Sequence, residues 1–146
     1  MNEMAARAAK IQKADGYNTD AGLLVLLGET PTLGPNDPAE ATAVVVRDSV
    51  VFHQAENVGE VLTVEVQALV KATVAGPVLA VERVVADIKF AVEMKDGQPD
   101  HTLGGRLTAR GLERGGTRVL EREPGSEFVG AAVEYRLRYL EKWGGL

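Results

Sequence analysis

The chain has 146 residues, 45% apolar and 25% charged, with a net charge of −5 and no cysteine. These proportions suit one domain with an ordinary core, and the missing cysteines exclude disulfides and thiolate metal sites. The acidic balance argues against a general nucleic-acid binder, because phosphate affinity needs a concentrated basic surface, and no apolar run reaches membrane-span length. A cytoplasmic product fits these bounds.

Met1 to Ala14 places Met4, Ala8 and Ile11 at helical spacing, which predicts a short amphipathic helix with a narrow apolar stripe, closed by Asp15-Gly16. Gly22 to Leu27 is a continuous apolar run between glycines and predicts a buried strand. The strongest loop signal runs from Thr30 to Pro38, and Asp37-Pro38-Ala39-Glu40 is fit to cap a single helical turn. The β-branched run Ala43 to Val46 predicts a strand that resumes as Val50-Val51-Phe52. Between them, Arg47-Asp48-Ser49 breaks the hydrophobic parity, which predicts a bulge or a strand leaving the sheet. Glu56-Asn57-Val58-Gly59 reads as a turn, so residues 50–61 should project as a hairpin arm with Phe52 partly outside the core.

Two long alternating runs organise the rest. From Glu60 to Val70, Leu62, Val64, Val66, Ala68 and Val70 share one face while Thr63, Glu65 and Gln67 share the other. From Ser126 to Leu140, the apolar and aromatic side is Val129, Ala131, Val133, Tyr135, Leu137 and Tyr139, opposite Glu134, Arg136 and Arg138. Period-two alternation of this length predicts the main strands of a sheet with one covered face. Gly76-Pro77 opens a helix to about Met94, with Val78, Val81, Val84, Val85, Ile88, Ala91 and Val92 as a broad sheet-facing stripe. Leu79, Ala86, Phe90 and Met94 form a second stripe, whose partner is either the N-terminal helix or a neighbouring subunit. Asp96 to Asp100 is a turn, and His101 to Ala109 has no clear period. Arg110 to Glu123 reads as an exposed, charge-rich strand with Gly115-Gly116 at a bulge. Pro124-Gly125 then turns into the last strand, and a flexible tail follows Trp143. The chain reads as one α+β domain over residues 1–146, a twisted and mostly antiparallel sheet with helices on one face.

No catalytic, metal or cofactor-binding residue stands out. His53 and His101 lack a second ligand at metal spacing, and no G-x-S-x-G, Walker loop or dinucleotide glycine fingerprint occurs. The acidic pairs Asp15/Asp20 and Glu121/Glu123 read as solvated charges, and the alternating charges of the last strand keep a sheet face soluble.

The order of features nevertheless resembles one family. A G-Y-x-T-D-A-G segment at Gly16 to Gly22 follows the first helix. Later come V-L-T-V-E-V-Q-A-L-V-K-A, a helix containing A-D-I-K at Ala86 to Lys89, an R-E-P-G-S turn, and a V-E-Y-x-L-x-Y strand ending near a tryptophan. Over nearly its whole length the chain resembles the tail terminator (tail completion) proteins of long-tailed bacteriophages and prophages. The resemblance implies a non-enzymatic, cofactor-free virion protein, assembled in the host cytoplasm as a hexameric ring that ends tail-tube polymerisation. Its partners would be copies of itself, the tail tube protein and the head-tail connector, with DNA passing through the lumen unheld and no membrane involved. On that reading Leu79, Phe90, Met94, Arg110, Arg114 and Arg118 are candidate subunit-interface residues, and Val50, Val51 and Phe52 are candidates for the tube. Another neck or head-completion protein and a small-ligand-binding or enzymatic α+β domain are the alternatives.

Overall fold

A computed structural model describes residues 2–28, 36–54, 57–105, 107–108, 110–120 and 128–142. The proline-rich loop over residues 30–35, Glu56, the Pro124-Gly125 turn, Trp143 and the C-terminal tail lie outside the described residues.

The alternating runs form three long strands, β2 (Glu40–Gln54), β3 (Asn57–Lys71) and β7 (Phe128–Lys142). Around them lie α1 (Asn2–Ala8), β1 (Val25–Leu27), α2 (Pro77–Glu93), the short strands β4 (Met94–Lys95) and β5 (Gln98–Pro99), and β6 (Leu112–Val119). The main sheet has the order β1-β2-β3-β7-β6, antiparallel except where β1 runs parallel to β2. This is the expected α+β architecture. β4 and β5 pair through Asp96 and Gly97, both at positive φ, the geometry of a tight two-residue hairpin turn.

The apolar parity decides which face is covered. Val64, Val66, Ala68 and Val70 of β3 and Ala131, Val133, Tyr135 and Leu137 of β7 pack against Val81, Val84, Ile88, Ala91 and Val92 of α2. Each valine, leucine and isoleucine among them contributes about 1.5–3 kcal/mol on burial. Met4 and Ile11 join the same core and are fully buried, so α1 is docked despite its narrow stripe. Its anchor includes Arg7, only 3% exposed, whose guanidinium donates to Glu3 (3.1 Å), to the Val92 carbonyl (2.8 Å) and to Asp100 (2.6 Å). The Val92 carbonyl lies in the last turn of α2, where carbonyls lack helical partners and a cation is favoured.

Several expectations are corrected. The run Gly22 to Leu27 is not a buried strand: Ala21–Leu23 is a 3-10 turn that leaves Leu23 exposed, and β1 is a short edge strand with Leu27 exposed. β2 already begins at Glu40, so residues 37–40 form no helical turn. Asn57-Val58-Gly59 belongs to β3, and the chain reverses before it. Gly59 sits there because Phe52 pairs opposite it and the ring occupies the space a Cβ would need. The two predicted bulges are present, as register shifts between Val46 and Asp48 and between Arg114 and Thr117.

Candidate interaction surfaces

Helix α2 is long enough to reach beyond what α1 can cover. The seven-residue α1 lies over the sheet beside α2, and the second stripe keeps Leu79 (52%) and Phe90 (54%) exposed. The expected cover by the N-terminal helix is therefore absent from Leu79 and Phe90. The Tyr17 ring meets Phe90 edge-on instead, with centroids 5.8 Å apart at 79°. Burial foremost, then the carboxylates of Asp87 and Asp15, pushes the Tyr17 phenol above its usual pKa. Met94 is half-buried just past the helix, its N–H donating to the Phe90 carbonyl.

Tyr17 is held where two of the stretches that carry the family resemblance meet in space. Asp87 of the A-D-I-K stretch accepts hydrogen bonds from the Asn18 N–H (3.1 Å) and side-chain amide (3.1 Å) and from the Thr19 N–H (2.9 Å) and hydroxyl (2.7 Å). Gly22, at the end of the G-Y-x-T-D-A-G stretch, packs so closely on α1 that a Cβ there would lie 2.5 Å from the Ala8 carbonyl oxygen. Sequence reading placed Asp87 only within the A-D-I-K stretch. An acid flanked by buried positions of a helix was the available signal.

Beyond Val46, β2 and β3 continue past α2 as an arm. It is three-stranded, since β7 pairs with β3 as far as Asn57 opposite Lys142. Val50 and Val51 point to opposite faces and are both exposed. Phe52 is half-buried over Gly59, with the Arg138 guanidinium 5.2 Å from its ring centroid. On the helix side, Glu60 accepts from Ser49 and Tyr139, which hold its carboxyl below the usual range.

The arginines predicted to share an interface do not form one patch. Arg114 lies on the helix side and donates to Glu93 (3.3 Å), which also accepts from the buried Tyr135 hydroxyl (2.9 Å). Burial and the Glu93 carboxylate drive the Tyr135 phenol far above its usual pKa. Arg118 lies on the open face and forks onto Glu65 at 2.8 and 2.9 Å, where Arg47 also donates at 3.0 Å. Burial pushes Glu65 up, but the hydrogen bonds from Arg118 and Arg47 outweigh it and leave its carboxyl below normal. Arg110 sits in the turn before β6 at positive φ, and with Arg136 and Arg138 it lines a depression of about 470 Å³ on the open face.

One concavity was not foreseen. An apolar groove of about 600 Å³ separates one flank of α2 from β6 and β7, lined chiefly by Val78, Val81, Val85, Val119, Leu120 and Val129. Val78 was assigned to the sheet-facing stripe but is 71% exposed, because the start of α2 overhangs the sheet edge. Val119, 82% exposed, was read only as part of a charged strand; its parity with Thr117 was the usable signal. No group of three or more acidic or histidine side chains among the described residues is placed to hold a metal. Compared with known proteins, the chain matches no family model and no curated protein.

Proposed function

We propose that this chain is a structural subunit that acts by fitting against copies of itself and against neighbouring virion proteins, as a tail terminator ring closing a bacteriophage tail tube. One observation carries the reading: a single sheet-and-helix body displays separate apolar surfaces on different sides. These are the arm at Val50 and Val51, the second stripe of α2 at Leu79 and Phe90, and the groove at Val78 and Val119. A ring needs two unlike patches per subunit, since rotation brings one surface of each copy onto a different surface of the next. A further patch is then available for the tube. The family resemblance supplies the identity of the partners.

On this reading the chain performs no turnover, and its surfaces set where polymerisation stops. The groove suits an extended polypeptide better than a metabolite, because its lining is mostly apolar, with Glu82, Lys89 and Thr117 its only polar side chains. Light scattering on the purified chain tests self-association, and copurification tests the partner. Retention by tail-tube protein supports the terminator role, whereas retention by connector alone would assign the chain to another neck component. A stable monomer at high concentration that ignores both partners would overturn the proposal.

A further inference from the structure

The outer edge of β6 is unpaired by any strand among the described residues, and the groove lies against the C-terminal end of that strand, at Thr117, Val119 and the following Leu120. α2 overhangs this edge through Val78 and Val85, so the groove has the place and lining of one more strand lying beneath the helix. An edge left in this state is a template for strand addition, in which main-chain hydrogen bonds supply affinity and alternate side chains supply specificity. Gly115 and Gly116 leave the β6 backbone locally bare, a feature of strands that another backbone approaches closely.

The same chain carries a strand of matching character. β1 pairs with β2 only from Thr42 to Val44, so from Val46 onward the outer edge of β2 is likewise unpaired by any described strand. On the helix side, that stretch exposes Val46 and Val51. The charges are complementary. Residues 110–120 hold Arg110, Arg114 and Arg118 against Glu113, a balance of +2. Residues 46–62 hold Arg47 against Asp48, Glu56 and Glu60, a balance of −2 with His53 neutral. The directions also fit: three successive antiparallel pairings from β2 through β3 and β7 to β6 leave β2 and β6 running oppositely. A sheet continued from one copy to the next therefore pairs them antiparallel, the more stable arrangement.

We infer that the β2 arm of one copy adds as a strand to the β6 edge of the next, with Val46 and Val51 filling the groove beneath α2. This rests on the self-association proposed above and specifies its interface. The contact joins unlike surfaces, so it propagates from copy to copy and closes into a ring when the rotation permits. Val119 lies level with Thr42 across the sheet, so pairing with an arm that starts at Val46 offsets successive copies along the strand direction. Such an offset tilts the strands relative to the ring axis, as in closed barrels.

The test uses two full-length variants, Val119→Lys in the groove and Val51→Lys in the arm, both at exposed positions where thermal melts should match the wild type. Each variant alone should lose assembly by at least tenfold in association constant. Mixed in equal amounts, they should form a heterodimer of twice the 15.6 kDa protomer and nothing larger, because each retains the surface the other lacks. Hydrogen exchange should show amides of residues 46–54 and 112–119 slowed in the wild-type assembly and fast in each variant. Wild-type assembly unaffected by either substitution would overturn this interface while leaving self-association standing. A monomeric wild type would overturn both, and a mixture that stays monomeric would overturn the inference of unlike surfaces.

Discussion

Replacing Asp87 by alanine should detach the segment of residues 16–22 from α2 and destabilise the whole domain. The carboxylate is only 3% exposed and accepts four hydrogen bonds, two of them from backbone N–H groups of Asn18 and Thr19. Alanine leaves the buried Thr19 N–H without an acceptor and the Asn18 N–H partly so. An orphaned buried donor costs roughly 1–3 kcal/mol, and hydrogen bonds to charged groups are worth about 1.5–3 kcal/mol each. Relief of the carboxylate's own desolvation offsets part of this, giving a net loss of about 3 kcal/mol. For a chain of this size that lowers Tm by about 10 °C. Urea unfolding followed by far-UV circular dichroism measures the loss, with Glu82→Ala on the exposed side of the same helix as the control. Hydrogen exchange should place the fastest-opening amides at residues 16–22. A loss below about 1 kcal/mol, equal to that of the control, would refute the clamp, since surface changes usually stay within about 0.5 kcal/mol.

Other outcomes follow from the same structure. Gly22→Ala forces a Cβ to 2.5 Å from the Ala8 carbonyl oxygen and should cost about 1–3 kcal/mol, whereas Gly116→Ala meets nothing within 4 Å and should leave the melt nearly unchanged. The hydrogen bond from Arg7 foremost, against a smaller opposing effect of burial and with help from Thr102 and Gly104, holds the Asp100 carboxyl far below its usual range. A lowered carboxylate pKa stabilises fully above the unfolded value of about 3.9 and fades as pH falls through the folded value. Stability should thus lose this contribution only below about pH 4, and Asp100→Asn should flatten that decline in a series of melts. Val50→Asp alone, on the face of the arm opposite Val51, should abolish capture of tail-tube protein without lowering Tm or self-association, because the side chain is exposed and lies outside the contact made by Val46 and Val51. Undiminished capture would remove the arm from the tube contact.

What the sequence disclosed and what it hid divide along physical lines. β3 and β7 were legible because one face of each is buried over many residues, and period-two alternation then has no other cause. The bulge after Val46 was legible because a parity break inside a β-branched run has few solutions, and the Gly115-Gly116 irregularity for a similar reason. The start of α2 followed from Gly76-Pro77. Edge strand β1 was misread because an apolar run carries no sign of which face, if either, is covered. Asp87, Arg7 and Asp100 were hidden because their partners lie far along the chain: Arg7 meets Asp100, and Asp87 meets Asn18 and Thr19. Arg114 and Arg118 lie four apart and would share a face in a regular strand, but the bulge between Arg114 and Thr117 inverts the parity, so Arg114 lies opposite Tyr135 and Arg118 opposite Ala132, on different faces. The groove was invisible for a different reason: it exists only because a helix overhangs a sheet edge, a relation between elements that no single stretch encodes.

The most direct test of the account is the mass of the purified chain across a dilution series, by multi-angle light scattering at low and moderate salt. The account predicts particles of several protomers of 15.6 kDa that approach a fixed closed mass at high concentration. A single protomer at every concentration, unchanged by tail-tube protein, would contradict it.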